Sequence, residues 1–179
     1  MVEAERARCC RIQWLHLNNR YAADRNNAIS PVWEELLETG HDAEYDAFLV
    51  KIGDNEQFGS GFVDINPNSK IPALVDISTK PETRVFESGA ILLYLAEKFN
   101  AFIPATLSER AEWLSWLMWQ MGGVGPMFGQ VHHFTKYNKG TSEYSENRYH
   151  NEAKRLYGVM NKRLGEGKFI ASGEYSIAD

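Results

Sequence analysis

Two neighbouring segments decide the fold: N-P-N-S-K-I-P-A-L-V-D at residues 66–76 and R-V-F-E-S-G-A-I-L-L-Y-L-A-E-K-F at residues 84–99. In the first, Pro72 precedes a short apolar run, and because proline cannot donate to a sheet it belongs at the start of a strand. In the second, a short apolar run is followed by apolar residues at helical spacing. We therefore predict two strands and then a helix that begins at Glu87-Ser88, with the Ser88 hydroxyl as its cap.

The same two segments predict a binding site. If the peptide bond before Pro72 is cis, the backbone N–H and C=O groups of Ile71 turn outward and stay free for a ligand. The free amides and the dipole at the start of the helix at Glu87-Ser88 favour a carboxylate. An extended backbone beside an anion-binding helix start suits a small peptide that carries a carboxylate at one end.

S-K-I-P-A-L followed by E-S-G-A-I-L-L-Y-L resembles the glutathione site of the glutathione transferase superfamily. Together with D-N-E-Q-F-G-S-G-F, the sequence is most similar to the nu class, the bacterial disulfide-bond oxidoreductases and their relatives. The resemblance covers roughly residues 32–179 and weakens upstream. It implies a thioredoxin-like α/β domain followed by an all-α helical domain, glutathione as cosubstrate and a homodimer.

The order of predicted elements agrees with that architecture. Residues 1–100 form the thioredoxin-like domain, of which 1–25 match poorly, 101–105 form a linker, and 106–179 form a partial helical domain. A second capping box, at residues 176–179, is typical of a helix start, and the resemblance implies that further helices follow it. We therefore expect the chain to be a fragment with an incomplete helical domain.

Caps and breakers predict the remaining elements. Ser30-Pro31 should begin a helix that Gly40 ends, and alternation up to Ile52 indicates a strand. In the helical domain, T-L-S-E at 106–109 is a capping box.

Two further features are predicted in the helical domain. The glycines at 122–123, with Gly125-Pro126 after them, should break or kink the helix that begins at 106. A long helix should follow from about Glu143 to Leu164, with Leu164 on its inward face and Gly165 past its end.

Composition excludes several functions. The chain has 24 acidic and 19 basic residues and no basic stripe, which argues against a nucleic-acid partner. No apolar run reaches the roughly 18 residues that a membrane span needs, and no secretory signal is evident, so we expect a cytoplasmic protein. The adjacent Cys9 and Cys10 are unsuited to a disulfide framework, and the histidines at 132, 133 and 150 lack metal-ligand spacing. We expect no metal.

The resemblance also implies glutathione contacts, each with a simpler alternative. Ile71, Glu87 and Ser88 match the family's glutathione-binding residues, although Ser88 and Glu87 could merely stabilise the helix start. Lys70 matches a ligand of the glycine carboxylate or is a solvated lysine, and Gln57 matches a glutathione contact or is an unpaired surface glutamine. Arg148 matches an arginine that reaches the site from the second domain, or it pairs with Glu152 on its own helix.

The reactive thiol should belong to glutathione. No cysteine lies at the junction immediately before the Ser30 helix, where thioredoxins carry theirs, and Cys9-Cys10 is too far upstream. The protein would therefore act by lowering the pKa of the glutathione thiol. The family places threonine and asparagine near this sulfur; here Arg25 replaces the threonine, and Asn27 (or Asn26, in a shifted register) is the candidate catalytic residue. Tyr21 could serve instead, or it is a strand aromatic.

Two functions follow from the sequence. The first is a glutathione-dependent disulfide-bond oxidoreductase or glutathione transferase, and the second is a non-catalytic binding protein, or an inactive fragment, on the same fold. The poorly matched residues 1–25 and the substitution at Arg25 favour the second. Glutathione-dependent turnover of a mixed disulfide separates them.

Overall fold

The structure, a computed structural model, describes residues 10–17, 36, 38, 40, 43–171 and 173–179. The chain divides into two units, Met1–Ala101 and Phe102–Asp179, and this division lies inside the predicted linker. The predicted helix after Ser30 lies largely outside the described residues, and Leu36 within it is fully buried.

The first unit is built on a four-stranded sheet in the order β2-β1-β3-β4. The strands are β1 (Cys10–Leu17), β2 (Ala43–Val50), β3 (Ala73–Asp76) and β4 (Thr83–Phe86). β1 and β2 are parallel, whereas β3 pairs antiparallel with both β1 and β4. This mixed sheet with a terminal hairpin is thioredoxin-like, as the sequence predicts.

Short helices connect the strands of this unit. Two 3₁₀ turns, Ile52–Asp54 and Glu56–Phe58, precede helix α1 (Ser60–Ile65), and helix α2 (Ser88–Phe99) follows β4. The predicted extension of β2 to Ile52 is wrong: the strand ends at Val50, and Ile52 is 43% exposed in the first turn. The alternation of the sequence continues beyond the point at which the chain leaves the sheet.

The core of the first unit lies between β3 and α2. The buried apolar residues on this side are Leu74 of β3 and Ile91, Leu92, Leu95 and Ala96 of α2. On the other side of β3, Val50, Phe62 and Ala73 form a cluster on which Ile71 and Phe86 pack. Burial on both sides stabilises the hairpin. Each large apolar side chain that is fully buried contributes roughly 1.5–3 kcal/mol to the free energy of folding.

The second unit is helical. Its elements are α3 (Leu107–Trp119), a π-helical segment (Gln120–Val124), α4 (Gly125–His132), a second π-helical segment (His133–Tyr137) and α5 (Glu143–Glu166). The capping box at the start of α3 is confirmed, since Thr106 and Glu109 bond each other's backbone N–H. The glycine-rich segment does not break the helix; the chain widens into a π turn there instead.

Helix α5 packs on the preceding helical segments through stacked rings. Phe128 lies 4.8 Å from Tyr157, and Phe134 lies 5.3 Å from Tyr149, between ring centroids. The predicted end of α5 is wrong, because Gly165 lies inside the helix and Gly167 follows its last residue. The predicted inward position of Leu164 is also wrong, since this side chain is 45% exposed.

Ile170 and Ala171, which follow α5, are bonded to it. Arg163 donates to the carbonyl oxygens of Ile170, at 2.6 Å, and Ala171, at 3.2 Å. The predicted capping box at 176–179 is present in part: Ser176 N–H donates to the Asp179 carboxylate at 3.0 Å, and Ala178 N–H donates to the Ser176 hydroxyl at 3.3 Å. Among the described residues, no helix is both long and apolar enough to cross a membrane.

Candidate functional site

The β3–β4 hairpin brings the two predicted site segments to one edge of the sheet. Ala73 at the start of β3 stands opposite Phe86 at the end of β4. Ile71, two residues before Ala73, and Glu87, one residue after Phe86, therefore lie at the same end of the hairpin. β1 also ends at this edge, because Leu15 pairs with Ala73.

Ile71 presents its backbone and buries its side chain. The Ile71–Pro72 peptide bond is cis, as the predicted site requires. The Ile71 side chain packs on the cluster of Val50, Phe62 and Ala73. Because the side chain is held in the core, the backbone just before β3 occupies a fixed position at the edge of the sheet.

Glu87 occupies an unusual backbone conformation at the start of α2. Its φ is 71° and its ψ is 125°, a region that residues with a side chain rarely adopt. The prediction that Ser88 caps the helix is wrong: Glu87 holds the N-cap position, and Ser88 is the first helical residue. The Glu87 side chain is exposed and makes no capping bond to the helix amides that it precedes.

The loop before Ile71 is built around Asn66, which is only 1% exposed. Its side-chain Oδ1 accepts from the Asn68 N–H at 2.9 Å, and its side-chain Nδ2 donates to the Lys70 carbonyl oxygen. Asn68 in turn donates from Nδ2 to Oε1 of Glu87 at 3.1 Å. Sequence analysis missed both asparagines, although asparagine beside proline is a common signal of an ordered turn.

Lys70 and Gln57 lie in the same unit as these residues. Lys70 is exposed, and its side chain has no ion-pair partner among the described residues. Gln57 is half-buried, and its Oε1 is buried without a hydrogen-bond partner in the described part of the chain. An unpaired Oε1 agrees with the alternative of an unpaired surface glutamine as well as with a glutathione contact, so the assignment of Gln57 stays a prediction.

Arg148 lies in the second unit, in a groove of about 740 Å³ between α4 and α5. The groove is lined by Met127, Tyr144, Asn147, Arg148, Tyr149, Asn151, Glu152 and Arg155. Glu152 pairs with Arg155 at 2.7 Å rather than with Arg148, so the predicted alternative for Arg148 is wrong. The hydrogen bond from Arg155, outweighing slight burial and helped by the charges of both arginines, lowers the pKa of Glu152.

The catalytic candidate Asn27, its neighbours Arg25 and Asn26, and Tyr21 lie outside the described residues. Their assignment remains a prediction. Among the residues that the structure does describe, no cluster of histidine, cysteine, aspartate and glutamate could hold a metal ion.

Asp76, at the other end of β3, connects this strand to α2. Its side chain is fully buried and accepts from Ser78, Tyr94 and Lys98, so that α2 is bonded to β3 through two of its side chains, Tyr94 and Lys98. Burial alone would raise the pKa of Asp76, but the hydrogen bonds from Lys98, Ser78 and Tyr94 outweigh it and hold that pKa below the usual value. This connection helps to fix Glu87 relative to Ile71, because Glu87 lies at the start of α2 and Ile71 directly precedes β3.

A thioredoxin-like sheet with a cis-proline before β3 and an acidic residue at the start of the following helix defines a glutathione transferase-type protein. The model of the glutathione S-transferase N-terminal domain matches residues 26–97. The disulfide-bond oxidoreductase YghU of Escherichia coli is 54% identical over 147 residues, which are 82% of this chain and 51% of that protein.

Solved structures agree. A glutathione transferase YghU from Streptococcus pneumoniae, complexed with glutathione, is 45% identical with a TM-score of 0.86, over 94% of this chain and 63% of that one. A glutathione transferase from Pseudomonas putida, with one glutathione disulfide bound per subunit, is 38% identical with a TM-score of 0.80, over 94% of this chain and 71% of that one. The chain therefore belongs to the glutathione transferase family, and the predicted family is confirmed. It spans about half the length of the E. coli relative.

Proposed function

We propose that the chain is a glutathione-dependent disulfide-bond oxidoreductase or glutathione transferase that uses the thiol of bound glutathione. The main support is that the Ile71 backbone and the exposed Glu87 side chain lie at the same end of the β3–β4 hairpin. The E. coli relative is named for disulfide-bond chemistry, and the two solved relatives hold glutathione or its disulfide.

In the proposed complex, the γ-glutamyl end of glutathione binds at Glu87 and Ser88. The Glu87 carboxylate attracts the ammonium group, and the amides at the start of α2 attract the adjacent carboxylate. The cysteinyl part pairs with the Ile71 backbone as an added strand would. Lys70 binds the glycine carboxylate, and Gln57 contacts glutathione, as the family resemblance implies.

The proposed chemistry is thiol–disulfide exchange. Asn27 donates a hydrogen bond to the glutathione sulfur and favours the thiolate, which is the reactive form. The thiolate attacks the glutathione sulfur of a mixed disulfide, so that an S–S bond forms in glutathione disulfide as the old one breaks. The departing small thiolate takes a proton from solvent. One glutathione is oxidised as the small thiol is released, because the other half of glutathione disulfide was already at the disulfide level in the mixed disulfide.

Exchange is favoured over conjugation because the Pseudomonas putida relative binds a glutathione disulfide. The Arg148 guanidinium can hold a carboxylate with both oxygens, which suits a ligand that carries several carboxylates. A homodimer, which the family resemblance implies, and a cytoplasmic location belong to the same proposal.

The test is the turnover of a mixed disulfide of glutathione and a small thiol, with glutathione as the reductant. We expect the wild-type chain to accelerate the reaction above the uncatalysed rate and the Glu87→Ala/Ser88→Ala variant to lose most of that acceleration. Asn161→Ala, which changes an exposed asparagine of α5, is the matched control. Glutathione binding without turnover would identify a binding protein instead, and absence of binding would overturn the proposal.

A further inference from the structure

Three asparagine hydrogen bonds connect the loop at 66–70 to the proposed glutathione site. Asn66 is buried among these residues and bonds both the Asn68 N–H and the Lys70 carbonyl. The Asn68 side chain is exposed and donates to Glu87 at 3.1 Å. The chain of contacts therefore runs from the buried Asn66 side chain to the Glu87 carboxylate of the proposed site.

We propose that Asn68 is a positioning residue of the glutathione site that acts through Glu87, and that the buried Asn66 holds Asn68 in place. The inference rests on the proposed function. It assigns roles to two residues that contact other protein groups and need not touch glutathione.

The Glu87 carboxylate needs such support. The Glu87 side chain forms no capping hydrogen bond with the start of α2. An exposed glutamate without a partner samples several rotamers. The Asn68 amide restricts the carboxylate to one orientation before the ligand arrives, which reduces the entropy that binding must overcome. The donor also leaves the second carboxylate oxygen available for the ligand ammonium.

Asn66 fixes the turn from which the Asn68 side chain extends to Glu87. Ser69 has a φ of 54°, and its N–H donates to the Asn66 carbonyl oxygen at 3.0 Å, so the loop reverses within four residues. The buried amide of Asn66 satisfies the Asn68 N–H and the Lys70 carbonyl within this turn. With alanine at 66 both backbone groups lose their partner, and the loop that carries Asn68 is no longer fixed.

The test is a double-mutant cycle on glutathione affinity with Asn68→Ala, Glu87→Ala and the double variant, measured by NMR titration because that method still reports weak binding. We expect Asn68→Ala to weaken binding about fivefold, the range for a hydrogen bond to a partly solvated charge. In the Glu87→Ala background the same change should have almost no further effect. Asn161→Ala again serves as the matched control.

Kinetics provide the second readout. Asn68→Ala should raise the KM for glutathione while kcat at saturating glutathione stays near the wild-type value. The reason is that Asn68 orients Glu87 for binding, and this contribution is the same in the ground state and in the transition state. Asn66→Ala should raise the same KM and also lower the melting temperature, whereas Asn68→Ala should leave that temperature unchanged.

The outcomes separate the two proposals. If Asn68→Ala binds glutathione as the wild type does, or loses equal affinity with and without Glu87, the inference is wrong although the proposed function stands. If the wild-type chain does not bind glutathione at all, the proposed function fails and the inference fails with it.

Discussion

Tyr94 of α2 donates its hydroxyl hydrogen to the carboxylate of Asp76 at the end of β3, with 2.5 Å between the two oxygens. Lys98, one turn further along α2, donates to the same carboxylate oxygen. The helix that starts at the proposed ligand site is thus bonded at its other half to the strand that starts there. The stability of this connection and the geometry of the site are linked.

Asp76→Asn should destabilise the protein by about 3 kcal/mol, because it leaves the mostly buried Lys98 ammonium beside a neutral amide. Urea unfolding at neutral pH measures the difference. The double variant Asp76→Leu/Lys98→Met removes both charges and should be less destabilised than Asp76→Asn. If the single variant is as stable as the wild type, the ion pair does not contribute as the structure indicates.

Stability should fall in acid through the same residue. The folded-state pKa of Asp76 is lower than its usual value, so its contribution is fully present above about pH 4, the unfolded-state range. The contribution is lost as the pH falls from there through the folded-state pKa. Urea unfolding from pH 6 to pH 2.5 should show a smaller loss for Asp76→Asn than for the wild type. Parallel curves for the two proteins would contradict the assignment.

Arg148→Ala should weaken the binding of glutathione disulfide about three- to tenfold, since a bond to a charged group is lost. Lys162→Ala, which removes the same charge from an exposed position of α5, should leave the affinity unchanged. Calorimetry at two salt concentrations distinguishes a direct contact from a general effect of charge. Equal losses in both variants would mean that Arg148 has no specific role.

Replacing Cys9 and Cys10 together by serine should leave glutathione-dependent activity nearly unchanged, because the proposed reaction uses the sulfur of glutathione. Initial rates with the mixed disulfide measure this, with the melting temperature as the control for folding. A loss of rate at unchanged stability would show that the thiol belongs to the protein.

The sequence predicted the parts of the site that depend on local chemistry. Pro72 marks a strand start, and the apolar spacing after Glu87 marks a helix, so both segments could be placed before the structure was known. The wrong assignment of Ser88 as the cap came from a shift of one residue, and only the dihedral angles of Glu87 reveal it.

Contacts between residues far apart in sequence could not be predicted in this way. The bonds from Asn68 to Glu87 and from Lys98 to Asp76 span 19 and 22 residues, and neither has a spacing rule. Leu164 illustrates the same limit within a helix: periodicity places it on the inward face, but which part of that face is covered depends on what packs there.

The backbone of Glu87 has a consequence for the evolution and engineering of this chain. A φ of 71° with a ψ of 125° costs a residue with a side chain roughly 1–3 kcal/mol, whereas glycine adopts it freely. Glu87→Gly should therefore raise the melting temperature while removing the carboxylate that the proposed ligand requires. Selection for thermal tolerance alone would drive this position to glycine, and only selection that includes ligand capture would retain the glutamate.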